Sequence, residues 1–457
     1  MTSKLMMNIE LHENEKVTTD EIEHGTTVKE WFSAMNQGDT DLYNWLDGKG
    51  YLRIRKKSNG HCELKAGRYV GTAPFSQFTV RIIPKIFKKP MSKQDAAMLT
   101  EIIDYADSVR LKNISESHEI YTSASTSITL REHYGLRLTQ EVEELLRRGL
   151  LKSYVTHEED VKSLRGKLIM QNQMRNDSAQ RMQFFCEFDE LEYDNVENRI
   201  ILQALMICER TMRDNQVGAE VRRRVFRLIQ QFSGLVDTIQ VTSEQRKRVM
   251  QSYTRQNEHY KGIHETCSTI LDDSGVSDIY HGRQARINPI FVPMYKVFED
   301  FVTRMMKELH PKKMKECDNC GKRKVKVLGN EGTTEQGWDI EDGGGKNMRP
   351  DIIMECQTCH ETRKEIDVKY KPVTEVGDLY QVGFYMHEYG EGQEEGLDNA
   401  YVILPKYYGE TVTDKTYTAQ RSKKKVHEKR VDIKDYMRRI KERDPEIRSD
   451  LDKLIEN

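Results

Sequence analysis

Acidic and basic side chains stand at a spacing that suits chemistry on phosphate esters in two short stretches, "MRPDIIME" and "KEIDVKYKP". In the first stretch Asp351 directly follows a proline, and in the second Asp367 and Lys369 are two residues apart. Alternate residues of a strand share one face, so Asp367 and Lys369 point to the same side. If the two stretches are neighbouring antiparallel strands, Asp351 lies close to Asp367 when the register allows it.

Two carboxylates in one place repel each other unless a cation joins them. Mg²⁺ is the expected cation, because it prefers hard oxygen ligands and keeps water molecules for chemistry. Beside it, Lys369 would orient or help to deprotonate a water molecule, or steady the charge that develops on a phosphate. We therefore predict that Asp351 and Asp367 bind Mg²⁺ and that, with Lys369, they catalyse phosphodiester hydrolysis. Each piece is common alone on an exposed strand, so the prediction rests on their combination.

Four of the eight cysteines form two Cys-x-x-Cys pairs, Cys317 with Cys320 and Cys356 with Cys359. Four thiolates suit a closed, tetrahedral, structural Zn²⁺ site. The pairs are separated by 35 residues, more than a compact zinc ribbon needs, so further structure is expected between them. Free thiols in two turns and a redox dithiol are the alternatives. The other cysteines are predicted to be buried apolar residues.

The elements that position these residues are predicted from hydrophobic periodicity, which indicates an α+β multidomain chain. Residues 1–95 show short alternating runs typical of a β-rich N-terminal domain, and residues 96–285 show mainly helical spacing. Residues 286–457 follow the order helix, strands, helix, which predicts an α/β domain. A Gly-rich acidic stretch, "GNEGTTEQGWDIEDGGGKN", is predicted to be a loop.

Composition limits the classes of function. The chain has 457 residues, with 72 Lys and Arg against 74 Asp and Glu, a net charge of −2. A nucleic acid would therefore be bound by a local basic surface, for which "KELHPKKMK" and "RSKKKVHEKR" are candidates. We find no apolar run long enough to span a membrane and no signal-peptide pattern, so a cytoplasmic protein is expected.

The order of the C-terminal elements matches the PD-(D/E)xK nuclease pattern, and the chain resembles the McrC family, the nuclease subunits of McrBC 5-methylcytosine restriction systems. The resemblance covers roughly residues 60 to 405, and its most specific motifs are "MYKVFEDFV", "MRPDI", "IDVKYKP" and "DLYQVGFYM". The middle region resembles the family in a core of Phe188, Asp189, Asn198, Arg199, Ile200 and Ile201. Many McrC proteins lack the paired cysteines, and Val368 stands where Ala is common.

The resemblance implies a C-terminal PD-(D/E)xK endonuclease domain with a zinc-knuckle insertion. It adds Glu299, on the preceding helix, as a further acidic catalytic position, and Gln381, on the following helix, as a group that steadies water or phosphate. Ordinary surface roles for Glu299 and Gln381 remain open.

The same resemblance implies partners. McrC-like proteins bind a hexameric AAA+ GTPase, McrB, insert an N-terminal stalk into its central pore, stimulate nucleotide hydrolysis and cleave double-stranded DNA that the partner usually selects by its modification. The expected function is thus a Mg²⁺-dependent endodeoxyribonuclease of a modification-dependent restriction complex. The competing hypotheses are a non-catalytic, zinc-containing activator of an AAA+ motor, and a stand-alone nucleic-acid-binding protein with a zinc ribbon.

Overall fold

The structure is a computed structural model that describes residues 7–22, 25–107, 130–212, 215–272, 289–310, 320–322, 324–329, 335–339, 345–359, 362–389 and 397–455. The chain divides into two compact units. The first unit combines Met1–Ser123 with Phe291–Asn457, and the second is Ala124–Ile290. The three-part division expected from the sequence, 1–95, 96–285 and 286–457, stays a prediction. In the structure, the first and the last of these three parts belong to the same compact unit.

The described residues of the N-terminal part of the first unit form two small sheets and three helices. Its elements are β1 (Met7–His12), β2 (Lys16–Thr18), α1 (Gly25–Ser33), α2 (Gln37–Gly48), β3 (Leu52–Lys56), β4 (Cys62–Ala66), β5 (Tyr69–Pro74), β6 (Phe78–Ile83) and α3 (Lys93–Ala106). One sheet has the order β2-β4-β3. The other has the order β1-β6-β5-β10, in which β10 (Phe291–Pro293) arrives from far along the chain and pairs antiparallel to β5.

The expected strands of this region are present, but α1 and α2 were not predicted. Both are short, and packing around one indole group holds them in place. The Trp31 ring lies 4.6 Å from that of Phe75 and 4.9 Å from that of Phe78. Its indole N–H donates a 2.6 Å hydrogen bond to Asp39 Oδ2, at the start of α2. Asn36 caps α2 by accepting from the Asp39 amide.

The second unit is mainly helical. Its elements are α4 (Leu130–Arg148), β7 (Ser153–Val161), β8 (Lys167–Leu168), α5 (Met170–Ser178), β9 (Phe184–Glu192), α6 (Val196–Thr211), α7 (Gln216–Phe232), α8 (Ser243–Gln251), a 3₁₀ turn (Glu258–Tyr260) and α9 (Lys261–Asp272). The antiparallel sheet β7-β9-β8 differs from the helical expectation, which continued through "LLKSYV". The helix ends instead at Arg148, because Gly149 adopts a positive φ of 96° and reverses the chain.

The McrC-like motif of this unit has a structural role that centres on Asn198. The Asn198 side chain is fully buried and donates to the carbonyl oxygens of Leu151 at 3.0 Å and Tyr193 at 2.7 Å. It also accepts from the Tyr260 hydroxyl at 2.8 Å. One amide therefore joins the start of α6 to the segment after α4 and to the 3₁₀ turn.

The C-terminal part of the first unit is built on a six-stranded sheet of order β11-β14-β15-β16-β18-β17. Its elements are α10 (Met294–Leu309), β11 (Val325–Gly329), β12 (Glu335–Asp339), β13 (Gly345–Met348), β14 (Ile352–Cys356), β15 (Thr362–Val368), α11 (Val376–Glu388), β16 (Asn399–Pro405), β17 (Lys415–Thr418), β18 (Lys425–Val431), α12 (Ile433–Glu442) and α13 (Ile447–Ile455). The helix–strands–helix order is as predicted. The Gly-rich stretch predicted as a loop contains the β12–β13 hairpin.

Helix α11 covers one face of this sheet. The parallel pair β15 and β16 needs a crossover connection, and α11 supplies it. Its Val382 and Met386 pack with Ala400, Val402 and Leu404 of β16 in a buried cluster. Helix α10 packs on α3, where the rings of Phe301 and Tyr105 are 5.0 Å apart. Among the helices described, none combines the length and the apolar character that crossing a membrane requires.

Candidate active site

The antiparallel register of β14 and β15 places Asp351 opposite Asp367. Ile352 pairs with Ile366, so the residues that flank this pair at the same end, Asp351 and Asp367, face each other across the two strands. The amide of Val368 donates a 2.7 Å hydrogen bond to Asp351 Oδ2, which ties the first carboxylate to the second strand. The two acids that the sequence singled out therefore meet at one end of the strand pair.

Lys369 joins the same cluster. Its Nζ donates a 2.8 Å hydrogen bond to Asp367 Oδ1 and lies 4.0 Å from Asp351 Oδ2. The Asp367 side chain is 1% exposed, that of Asp351 15% and that of Lys369 23%. The cluster thus has a closed end at Asp367 and an open end at Asp351 and Lys369.

Burial and mutual repulsion govern the charges of this cluster. Burial raises the pKa of Asp351, and the neighbouring Asp367 carboxylate raises it further. Burial also raises the pKa of Asp367, against the opposing effect of Lys369. Burial alone would lower the pKa of Lys369, but Asp367 and Asp351 outweigh it and raise that pKa. The cluster therefore favours an added positive charge.

The donor set fits a hard divalent cation such as Mg²⁺. Asp367 Oδ2 is buried and has no hydrogen-bond partner within the described parts of the chain. A buried carboxylate oxygen without a donor is costly unless a cation coordinates it. Asp351 and Asp367 offer the oxygen ligands that Mg²⁺ prefers.

The two other residues expected at the site differ in their placement. Glu299, on α10, is half-buried, and its pKa is raised by burial and by the charges of Asp300 and Asp367, while Lys369 lowers it. It therefore lies within electrostatic reach of the cluster. Gln381, on α11, donates its amide at 3.0 Å to the Tyr385 hydroxyl one turn later in the same helix. The structure brings Glu299 toward the cluster but does not join Gln381 to it.

A third acidic residue, Glu365, lies next to the cluster and was not singled out from the sequence. It precedes Asp367 by two residues on β15, so the two side chains share a face. Glu365 is fully buried, and neither of its carboxylate oxygens has a hydrogen-bond partner among the residues that the structure describes. Burial, then the charges of Asp367 and Asp351, raise the pKa of Glu365 well above its ordinary value. The two-residue alternation of "EIDVK" was the signal that could have revealed it.

A cluster of thiols lies at the turn between the two acid-bearing strands. The sulfur atoms of Cys320, Cys356 and Cys359 lie within 4.8 Å of one another, and those of Cys320 and Cys356 are 3.4 Å apart. Backbone amides of Cys359 and Thr358 lower the pKa of Cys356 to about 6, which favours the thiolate. Cys317, the fourth predicted ligand, lies outside the described residues. Three sulfur atoms at this separation suit a soft cation such as Zn²⁺.

The remaining cysteines take no part in this cluster. Cys62, Cys186, Cys208 and Cys267 are buried free thiols, as the sequence predicted. Burial raises the pKa of Cys208 to about 12, so that thiol stays protonated.

A family model described as "McrBC 5-methylcytosine restriction system component" matches residues 64–397. A solved structure from Thermococcus gammatolerans, the half-complex of a tetradecameric assembly of McrB AAA+ hexamers with bound McrC, is similar over 98% of this chain and 100% of the solved chain. The two chains are 19% identical, with a TM-score of 0.60, so they share a fold. A chain of the Thermococcus gammatolerans McrBC complex matches 66% of this chain and 88% of its own length, with 23% identity and a TM-score of 0.44. No curated protein sequence matches.

Proposed function

Because the chain belongs to the family of McrBC 5-methylcytosine restriction system components, we propose that it is the DNA endonuclease subunit of a modification-dependent restriction complex of the cytoplasm. The observation that carries the proposal is the Asp351, Asp367 and Lys369 cluster at the end of β14 and β15. A non-catalytic activator of an AAA+ motor would have no use for two facing carboxylates, one of them buried, with a lysine beside them.

The cluster's own residues have separable tasks in phosphodiester hydrolysis. Asp351 and Asp367 would hold Mg²⁺, which when bound polarises a phosphoryl oxygen and lowers the pKa of a coordinated water. Lys369 Nζ fixes the Asp367 carboxylate through Oδ1 and leaves Oδ2 without a donor in the described residues. Because the Lys369 side chain is also partly exposed, it can reach an attacking water or the charge that develops on the phosphate. Glu299, whose charge interacts with those of Asp367 and Lys369, would add negative charge beside the same cation.

Cys320, Cys356 and Cys359, with Cys317 as the fourth ligand, are proposed to hold a structural Zn²⁺. Four thiolates leave no open position on the metal, so this site takes no part in the reaction. Its place at the β14–β15 turn supports a role in holding the two acid-bearing strands in register.

The partner proposal draws on the shared fold. The solved structure with a TM-score of 0.60 comes from an assembly of McrB AAA+ hexamers with bound McrC. We propose that this chain likewise binds a hexameric AAA+ GTPase, stimulates its nucleotide hydrolysis and receives from it double-stranded, modified DNA. With a net charge of −2, the chain lacks the bulk positive charge that strong binding to DNA on its own would require.

Co-expression with a candidate AAA+ partner tests both activities at once. The purified complex is incubated with GTP or ATP, Mg²⁺ and either methylated or unmethylated DNA, and cleavage and nucleotide hydrolysis are measured in parallel. Wild-type protein should cleave DNA, and Asp367→Ala should abolish cleavage while stimulation of hydrolysis persists. Cleavage by Asp367→Ala would refute the nuclease assignment, and loss of both activities in the folded variant would refute the proposed separation of roles.

A further inference from the structure

Glu365 lies two residues before Asp367 on β15, on the side of the proposed cation site away from its open end. Glu365 and Asp367 alternate on β15, and Lys369 directly follows the last residue of that strand, so the three side chains share one face. In the sheet, Glu365 stands between two apolar residues, Ile353 of β14 and Ala400 of β16. Both neighbours are buried, so Glu365 has no route to bulk water along the sheet.

The same face is closed from above by α11. Ala400 and Val402, which pair with Glu365 and Asp367, belong to the cluster that packs under Val382 and Met386. Side-chain exposure falls from 23% at Lys369 to 1% at Asp367, and the residue Glu365 is fully buried. The carboxylates thus form a column that runs from the open end of the site into the core.

Glu365 lacks the partners that a purely structural carboxyl group acquires. Both its oxygens are buried without a hydrogen bond to any described residue, as is Asp367 Oδ2. Lys369, a positive charge that acts on Glu365, already donates to Asp367 Oδ1. Burying an unpaired carboxyl costs several kcal/mol in general, and an apolar residue of similar size would avoid that cost.

On this basis, and resting on the proposed nuclease function, we propose that Glu365 is a third carboxylate of the cation site and helps Asp351 and Asp367 to bind a divalent, oxygen-preferring metal ion. The ion is of the Mg²⁺ or Mn²⁺ class, because every group offered is a carboxylate. Glu365 supplies negative charge from the closed end of the site, opposite the end from which DNA would approach.

The inference is tested by cation binding to the full-length protein, without DNA or partner and at one fixed pH. Mn²⁺ affinity is measured by isothermal titration calorimetry, and the cation-dependent rise in melting temperature is measured on the same samples. Glu365→Gln should weaken Mn²⁺ binding about tenfold or more, the effect expected for a carboxylate that supports a metal site. The cation-dependent rise in melting temperature should shrink with it.

Two further variants distinguish a specific loss of cation binding from misfolding and from a general effect of changing a buried carboxyl group. Glu365→Leu removes the carboxylate with little change in volume, and it should stay folded, lose Mn²⁺ affinity and melt no lower than wild type without metal. Glu13→Gln makes the matched change at another buried carboxyl group, which follows β1 and lies outside the six-stranded sheet. The Mn²⁺ affinity of this variant should stay within about twofold of that of the wild type.

The outcomes separate this inference from the function on which it rests. Wild-type affinity in both Glu365 variants, together with lost affinity in Asp367→Asn, would overturn only the role of Glu365. Wild-type protein that binds no Mn²⁺ would overturn this inference and the metal-dependent nuclease proposal together. Equal loss of affinity in Glu365→Gln and Glu13→Gln would show that any buried carboxyl has this effect, and would also overturn the assignment.

Discussion

The amide of Val368 donates a 2.7 Å hydrogen bond to the Oδ2 atom of Asp351, so the carboxylate of one strand is fixed by the backbone of the next. That bond lies one residue beyond Asp367, on the strand that carries the second acid. Had the carboxylates of Asp351 and Asp367 pointed to opposite faces of the sheet, no single cation could have bridged them. The register of β14 and β15 instead sets the two residues opposite each other, so one cation can bridge their carboxylates.

Asp351→Asn separates the structural part of this contact from the electrostatic part. The amide oxygen of the new side chain can still accept from Val368, while one of the two facing charges is lost. We expect cleavage to fall at least a hundredfold, and the metal-free protein to gain about 1 kcal/mol in the free energy of unfolding, as happens when a strained active site is relieved. Cleavage assays with partner and denaturant unfolding measure the two effects. Unchanged cleavage would contradict the assignment of Asp351.

Lys369→Gln should affect the reaction without weakening cation binding. Removing the ammonium leaves the carboxylates more negative, so Mn²⁺ affinity should stay the same or increase. Cleavage should fall about 10²–10³-fold, the usual effect of losing one group that stabilises developing charge. Lys371→Gln is the matched control, because Lys371 lies two residues further and pairs with Asp378 at 2.5 Å. Equal loss in both variants would argue against a specific role for Lys369.

The thiol cluster predicts a zinc content of about one ion per chain in purified protein. Cys356→Ser should abolish zinc binding, lower the melting temperature and reduce cleavage through loss of the β14–β15 turn. Cys62→Ala, at a buried cysteine of β4, should retain the metal. Elemental analysis and thermal unfolding provide the readouts. Wild-type protein that carries no zinc and whose four paired cysteines are freely alkylated would contradict the site.

Glu13 gives the stability of the first unit a pH dependence. Burial raises its pKa from 4.5 to about 7, although the Lys85 amide and the Tyr370 hydroxyl, at 2.9 Å and 2.6 Å from Oε1, oppose that rise. A raised folded-state pKa means that the protonated form is favoured in the fold. Its stabilising contribution is complete below pH 4.5 and is lost as the pH rises through 7, by up to about 3 kcal/mol.

The check is the difference in unfolding free energy between wild type and Glu13→Gln, measured in denaturant from pH 4.5 to 8. Taking the difference cancels the other groups that titrate in this range. Wild type should lose stability relative to the variant as the pH rises. A difference that is constant with pH would show that Glu13 titrates normally.

Asn198→Ala tests the structural role of the middle motif. The substitution removes two hydrogen bonds that Asn198 donates and one that it accepts. The carbonyl oxygens of Leu151 and Tyr193 and the hydroxyl of Tyr260 each lose one hydrogen bond. We expect a loss of about 2–4 kcal/mol in the stability of the second unit, since three buried hydrogen bonds are lost, although Asn195 still donates to both carbonyl oxygens. Denaturant unfolding compares it with Asn172→Ala, at a partly exposed position of α5. Equal free energies of unfolding for the two variants would contradict the structural role of Asn198.

The sequence predicted the family, the order of the C-terminal elements and the approach of Asp351 to Asp367, because these depend on local alternation and on one short turn. It did not predict α1 and α2, whose stability comes from the contacts of Trp31 with distant Phe75 and Phe78. Nor did it reveal Glu365, because the alternation that puts this residue on the same face as Asp367 does not show that it is buried. Its burial follows from the cover of α11 and from neighbours on β14 and β16, which only the sheet order supplies.

The pairing of β10 with β5 has a consequence for synthesis on the ribosome. Phe291 joins Gly71 across more than two hundred intervening residues, so the sheet that starts with β1 waits for its last strand until most of the chain has been translated. The Ala124–Ile290 unit emerges whole before that strand does, and is free to fold first. The acidic cluster is translated later still, so a nascent chain gains the site to which we assign the cutting of DNA only near the end of its synthesis.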